Sequence, residues 1–274
     1  MDSILDNTTL DYPTIRNWFG NVAANGYTHL DVPVAQAGKF ASLLGLSIRR
    51  CYLSDQSLST LLDGNDSSEQ ELIAACLPDR GSTMAGDFGE LLAYVFHLAD
   101  NGNLNLCGPK KWRLKDNRRK PSPMSDVVQF SLPNWPTASE HDLLFCSEVK
   151  IKSTRSKFRP ITQALEHSRK DRASRLAKTL VWLRERTILG EDTDVDREQL
   201  DRFIKAAENP AFSKSFKAVA VVCNGLIQDE LVTDPPVNDP HHRVVVIGIP
   251  ELKETYQQVF EAVAVAGLPN EAVT

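Results

Sequence analysis

The sequence predicts an α/β protein in which helices flank a sheet. Through most of the chain, amphipathic stretches with helical spacing alternate with short apolar or β-branched runs. The predicted helices are residues 87–100, 160–187 and 251–266, and the predicted strands are residues 127–132, 143–150, 218–223 and 244–249. Because helices and strands alternate, we expect the helices to cover the faces of one sheet.

Each predicted element has its own local signal. The helix at 87–100 is amphipathic and is followed by the turn sequence Asn-Gly-Asn. The strand at 143–150 is apolar at first and charged at its end, whereas those at 218–223 and 244–249 are almost entirely small or β-branched. Such runs are typical of strands that are buried on both faces.

The first 80 residues carry turn signals but no motif that indicates chemistry. A junction at Pro78–Ser82 separates them from the part with a legible element order. We therefore predict two parts: an N-terminal accessory or partner-binding region over residues 1–80, and a catalytic domain over residues 81–274.

The charge distribution is uneven along the chain. The net charge is −5, yet residues 108–186 contain 19 Lys and Arg against 8 Asp and Glu. A basic middle between acidic ends indicates a surface that binds a polyanion, and equally well a set of solvated helix faces. Composition does not separate these two interpretations.

Several classes of protein are disfavoured by the sequence. The chain has no apolar run of the roughly 20 residues that span a bilayer, and its acidic start does not resemble a signal peptide. Its five cysteines are scattered without a CxxC pair, so we expect reduced thiols in a cytoplasmic protein. Neither a phosphate-binding P-loop nor a Gly-x-Ser-x-Gly elbow is present, which disfavours nucleotide hydrolysis and esterase activity.

Three residues in the predicted strands indicate a catalytic centre. Asp126 begins one strand, and Glu148 and Lys150 end the next. Side chains alternate along a strand, so Glu148 and Lys150 share a face while Val149 points into the core. If the strands are neighbours, Asp126 and Glu148 approach closely, and two adjacent carboxylates favour a cation such as Mg²⁺ between them. Lys150 could then lower the pKa of an attacking water or stabilise charge on phosphorus.

An Asp, a strand-borne Glu-x-Lys and an upstream helical Glu together resemble the PD-(D/E)xK nuclease superfamily. The resemblance spans about residues 86–225 and implies a restriction-endonuclease-like mixed sheet flanked by helices, with an N-terminal accessory region. It implies that Glu90, Asp126 and Glu148 bind Mg²⁺ or Mn²⁺ and that Lys150 assists the water. Gln163, on the helix after Glu-x-Lys, would be a further polar residue at the site. Ser125 stands where the superfamily often has Pro.

A narrower resemblance rests on Gly-Asp-Phe-Gly-Glu at residues 86–90, followed by Ser-Asp and Ser-Glu-x-Lys. This combination is similar to the nuclease subunits of Hachiman-type bacterial anti-phage systems, the HamA-like proteins. The resemblance implies a defence role, DNA as substrate, and a helicase or ATPase partner that restrains the nuclease until it engages DNA.

Basic residues near the predicted centre are candidates for contact with DNA phosphates. The nucleic-acid-binding candidates are Lys152, Gln163, Arg169, Lys170, Arg172 and Arg175. Trp112, within a basic loop or hairpin at residues 110–120, could stack on an unpaired base or anchor the loop to the core.

Two other functions remain open on the sequence. The chain could be a non-catalytic nucleic-acid-binding or assembly subunit that retains the nuclease fold and its basic face. It could also be a regulatory protein whose basic face contacts an acidic protein. The non-catalytic subunit predicts DNA binding that is unaffected by Mg²⁺ and unchanged by Lys150→Ala beyond one lost charge. Competition by unrelated DNA would separate it from the regulatory protein.

Overall fold

A computed structural model describes residues 8, 10, 12–64, 66–122 and 124–269. The strands are β1 Gly20–Val22, β2 Thr28–Asp31, β3 Val127–Ser131, β4 Leu143–Lys152, β5 Ser213–Cys223 and β6 His242–Ile249. The helices are α1 Tyr12–Arg16, α2 Val34–Ala37, α3 Phe40–Tyr52, α4 Asp55–Asp63, α5 Glu69–Cys76, α6 Ser82–Asp100, α7 Pro160–Lys170, α8 Leu176–Ile188, α9 Arg197–Ile204, α10 Asn224–Thr233 and α11 Leu252–Ala264.

The six strands form one mixed sheet in the order β1-β2-β6-β5-β4-β3. The four central strands, β2, β6, β5 and β4, run parallel, and the edge strands β1 and β3 are antiparallel to their neighbours. Helices cover both faces, so the predicted mixed α/β fold is confirmed.

The central strands supply core to both faces of the sheet. On β5, Val219 and Val221 face α6 and α11, while Ala220 and Val222 face α7 and α10. All four side chains are at most 1% exposed. This two-sided burial explains the nearly continuous run of small and β-branched residues in β5 and β6.

Capping residues account for several helix boundaries. The Ser68 hydroxyl accepts a hydrogen bond from the Glu71 amide, and the Glu71 carboxylate accepts one from the Ser68 amide, which is a capping box at the start of α5. Gly81 precedes α6 with a φ of 121°, a conformation that favours glycine. Pro160 occupies the first turn of α7, where its missing N–H costs nothing.

The observed elements differ from the predicted ones at their ends. Helix α6 begins at Ser82, ahead of the predicted residue 87, and β4 extends to Lys152. The long basic helix predicted from residue 160 is interrupted by a π-helical turn at Asp171–Arg175, which joins α7 to α8. A π-turn has no distinct sequence pattern, so it could not be read from the spacing of apolar residues.

The N-terminal region shares the sheet with the rest of the chain. Strand β2 pairs with β6, and Leu30, Phe40 and Leu44 belong to the same core cluster as residues of α6 and α11. A separate accessory role for residues 1–80 remains a prediction. Within the described residues, no helix combines the length and the apolar character needed to cross a membrane.

Candidate active site

Antiparallel pairing of β3 and β4 brings Asp126 beside Glu148. Val127 pairs with Ser147, so the residue before Val127 lies opposite the residue after Ser147. The Asp126 Oδ2 atom accepts a hydrogen bond of 2.8 Å from the Val149 amide. This contact fixes the Asp126 carboxylate at the end of the strand pair.

Alternation along β4 separates the core residue from the polar ones, as predicted. Val149 is 6% exposed and packs in the core under α6. Glu148 and Lys150 lie on the other face, where the Lys150 ammonium donates to Glu148 and lies 3.8 Å from Asp126 Oδ2. The three residues proposed from the sequence therefore meet in space.

Glu90 approaches this group from α6. Its carboxylate is 5% exposed, accepts a hydrogen bond of 3.2 Å from Trp112 Nε1, and lies 3.2 Å from Lys111 Nζ. Burial raises the pKa of Glu90 to about 8; Lys111 opposes the shift, and the charge of Asp126 adds to it. Glu90 therefore lies close enough to Asp126 for the two charges to repel.

Ser125 ties the start of β3 to the helix on the other side of the site. Its hydroxyl donates to Asp171 Oδ1 at 2.7 Å, and its amide donates to Thr179 Oγ1 at 3.2 Å. A proline at this position could make neither contact. Ser125 thus anchors the residue next to it, Asp126, to the π-turn and α8.

Two residues of the α7–α8 segment contact the Glu148 carboxylate. Arg175, at the end of the π-turn, donates to Glu148 Oε2, and its Nε donates to Asp171 at 2.6 Å. His167 Nδ1 lies 3.2 Å from Glu148 Oε1. Sequence reasoning missed His167, although it lies one helical turn after Gln163 and therefore on the same face of α7.

The pKa values of Glu148 and Lys150 are both raised, for different reasons. Burial, followed by the charge of Asp126, raises the pKa of Glu148 to about 8, against the opposing effects of Lys150 and Arg175. Burial disfavours the charge on Lys150, but Asp126 and Glu148 outweigh it, and the pKa of Lys150 lies above its usual range. Lys150 is therefore a cation at neutral pH.

The donor set suits a hard divalent cation, although it does not form a preassembled shell. Glu90, Asp126 and Glu148 offer carboxylate oxygens, the ligands that Mg²⁺ and Mn²⁺ prefer. Yet among the described residues no three His, Cys, Asp or Glu side chains are grouped closely enough to hold a metal ion. Lys111 pairs with Glu90, and Lys150 and Arg175 pair with Glu148. Basic side chains thus balance the carboxylates that would bind the cation.

The proposed nucleic-acid-binding residues fall into two groups. Arg169, Lys170 and Arg172 are exposed on the α7–α8 segment, and Arg169 pairs with Asp239 at 2.8 Å. Gln163 is half-buried on α7. Lys152 is 5% exposed, and its ammonium binds the Glu230 carboxylate and the Ser156 and Phe158 carbonyls. The assignment of Lys152 to DNA binding was therefore wrong, because this charge is spent inside the fold.

In the basic loop after α6, residues 110–115 are buried or half-buried, whereas residues 116–120 are exposed. Lys111–Leu114 form a 3₁₀ turn, and Trp112 is 2% exposed beneath it. Lys115 binds the Asp87 carboxylate, and Arg113 binds Asp192 and Asp194. Trp112 therefore anchors the loop and is closed to a base. Some of the basic residues that make residues 108–186 positive, such as Arg113 and Lys115, are therefore paired with acids inside the protein.

The fold and site together define a mixed α/β protein with a carboxylate–lysine cluster where its β3–β4 edge meets α6 and α7. The HamA family model matches residues 20–263, and the chain belongs to the HamA family. Membership indicates a component of a Hachiman anti-phage defence system. A search of curated proteins gives no match.

Proposed function

We propose that this HamA-family chain is a metal-dependent nuclease of the PD-(D/E)xK type that hydrolyses phosphodiester bonds of DNA with Mg²⁺ or Mn²⁺. The observation that carries the proposal is the convergence of Asp126, Glu148 and Lys150 at one end of the β3–β4 pair. These residue types, in this order along the chain, also support the superfamily resemblance.

The chain's own residues have separable roles in this reaction. Glu90, Asp126 and Glu148 would hold the divalent cation, which when bound polarises the phosphate and makes water a better nucleophile. Lys150 acts as a cation that stabilises negative charge building on the phosphate oxygens. Its raised pKa favours this role over proton abstraction, since a general base must be deprotonated near neutral pH.

Exposed basic residues on the α7–α8 segment support DNA as the substrate. Lys170 and Arg172 are exposed and follow the Glu-x-Lys strand closely in sequence, so they can neutralise backbone phosphates near the centre. Such contacts position a strand without reading its bases. Membership of the HamA family supports a helicase or ATPase as the partner protein. The ion pairs at Glu90 and Glu148 suit a nuclease that stays inactive until that partner acts.

The test is cleavage of supercoiled plasmid, linear duplex and single-stranded DNA with Mg²⁺ or Mn²⁺, alone and with the partner ATPase. We expect Asp126→Ala, Glu148→Ala and Lys150→Ala each to lose cleavage by at least a hundredfold. Lys253→Ala, on the exposed side of α11, is the matched control and should cut like the parent protein. Cutting that persists in all three site variants would contradict the proposal.

A non-catalytic nucleic-acid-binding or assembly subunit is the second candidate. The basic partners of Glu90 and Glu148 favour it, since a decayed site would keep its charges paired inside the protein. It predicts DNA binding that is insensitive to Mg²⁺ and no cutting under any condition. Metal-dependent cutting lost in Lys150→Ala would exclude it.

A further inference from the structure

A cleft opens beside the candidate active site, between α8, α9 and the start of β5. Its volume is about 990 Å³, and Phe203, Phe212 and Phe216 form much of its apolar lining. Phe203 and Phe216 are buried, whereas Phe212 is half-buried. The edge-to-face contact between Phe203 and Phe212, with centroids 5.0 Å apart, holds the Phe212 ring in place.

The cleft and the catalytic residues share one face of β4. Leu144 lines the cleft, and Glu148 stands four residues further along the same face. At about 3.3 Å per residue, the two positions are roughly 13 Å apart, about the length of two extended nucleotides. The π-turn lies between them: Arg172 lines the cleft, and Arg175 contacts Glu148. The face of β4 between them is buried, whereas residues 172–174 of the π-turn are exposed and line the cleft. A strand that passes from the centre over these residues therefore reaches the cleft.

Two exposed cations, Arg172 and Lys214, line the rim of the cleft. His241 is a further exposed lining residue. Asp171 is the single acid among the residues that line the cleft, and Arg175 pairs with it at 2.6 Å. Asp171 is only 1% exposed, so its charge is largely withdrawn from the cleft.

The cation next to the Phe212 ring indicates which class of ligand the cleft can bind. Lys214 Nζ lies 5.1 Å from the centre of the Phe212 ring. An aromatic face beside mobile cations matches a nucleobase joined to a phosphate, because the base stacks and the phosphate takes the charge. An apolar protein side chain could pack against the Phe212 ring, but it would offer no negative charge to Lys214 and Arg172.

We propose that this cleft binds an unpaired nucleobase of the DNA strand that crosses the active site. The base stacks on Phe212 in place of Lys214, and Lys214 and Arg172 bind the adjacent phosphates. The inference rests on the proposed function and adds to it a preference for DNA with a single-stranded segment. In this proposal, the cleft holds the DNA strand at a fixed distance from the cleavage site.

The experiment uses the Lys150→Ala protein, which binds without cutting, and a short thymine strand carrying one 2-aminopurine. Affinity is measured by fluorescence anisotropy, and stacking by quenching of the 2-aminopurine. We expect Phe212→Ala to weaken binding about tenfold and abolish the quenching, while Phe212→Tyr keeps both. Lys214→Glu, an exposed change, should weaken binding without altering the fold. Val232→Ala, whose side chain is 79% exposed on α10, is the matched control.

Unchanged affinity and quenching in Phe212→Ala would overturn the inference and leave an apolar segment of a protein partner as the occupant. Equal weakening of fully paired duplex and single strands by Phe212→Ala would also overturn it, since a paired base cannot enter the cleft. The proposed nuclease is tested separately. If the Asp126, Glu148 and Lys150 variants lose cutting while Phe212→Ala binds normally, only the cleft assignment fails.

Discussion

At the level of single residues, the candidate centre combines buried acids with nearby cations. Glu90 and Glu148 are both at most 5% exposed, and each touches at least one basic side chain. Burial of a carboxyl favours its protonated form, and the charge of Asp126 reinforces this effect for both. The protonation of these two acids should therefore influence both stability and cation binding.

The first prediction concerns stability against pH. The pKa of Glu90 is raised to about 8, so the native protein keeps a proton that the unfolded chain releases above about pH 4.5. Raising the pH from 5 to 8 should then lower the free energy of unfolding, by up to about 1.4 kcal/mol per pH unit from this carboxyl. Chemical denaturation of the parent and of Glu90→Gln measures the effect. The variant should show the shallower decline, and identical slopes would contradict the assignment.

The second prediction concerns the cation. Because burial and the charge of Asp126 raise the pKa values of Glu90 and Glu148 to about 8, binding of Mn²⁺ should release protons into the buffer. Calorimetric titrations at pH 7 in two buffers of different ionisation enthalpy would give different apparent heats. Glu90→Gln should bind more weakly and release fewer protons. Equal heats in the two buffers would show that these carboxyls do not titrate on binding.

At the level of elements, the site depends on how closely α6 approaches β4. A Cβ atom on Gly89 would lie 3.4 Å from both Val149 Cγ1 and Ile151 Cβ. The helix therefore passes directly over the strand at the residue before Glu90. This approach sets how far Glu90 extends toward Asp126.

The third prediction tests that approach. Gly89→Ala should be tolerated, because its methyl group sits at the edge of ordinary contact and alanine favours a helix. Gly89→Leu should lower the free energy of unfolding by about 1–3 kcal/mol, because the larger side chain pushes α6 away from β4. Denaturant unfolding of both variants checks this. Equal stability of the two would mean that α6 and β4 are less tightly packed than the structure shows.

Sequence reasoning found the parts of the site that depend on local pattern. Strand alternation was enough to place Glu148 and Lys150 on one face and Val149 in the core. The assignment of Lys152 to DNA binding rested instead on its place among basic residues, and it missed the Glu230 partner, which comes from α10. The sequence alone does not distinguish a lysine that pairs with a distant acid from a lysine that is available to bind DNA.

At the level of the whole molecule, the sheet joins the two ends of the chain. Strands β1 and β2 were not predicted, because both are very short and β1 is exposed throughout. The place of β2 is set by pairing with β6, and β1 pairs with β2. The β2–β6 contact joins distant segments and leaves no mark on local spacing. The presence of the last two strands, in contrast, followed from their strongly apolar composition.

The fourth prediction follows from this arrangement. A fragment of residues 81–274 lacks the β2 partner of β6 and the α3 partner of α11, and so exposes Val245, Ile247 and Val259. We expect it to aggregate or to unfold without a cooperative transition, as judged by size-exclusion chromatography and thermal circular dichroism. Adding residues 1–80 as a separate chain should recover part of the fold. A monomeric, cooperatively unfolding fragment would show that residues 1–80 form a dispensable module.

The pairing of β2 with β6 also orders the assembly of the sheet during synthesis. Thr28 leaves the ribosome long before its partner Val245 is made, and such long-range pairing is slow to form. The β3–β4 pair likewise has no neighbour on the β4 side until β5 is made. For the proposed nuclease, this order would keep the site unsupported in half-made copies, because the strands that flank β4 and β2 come later in the chain.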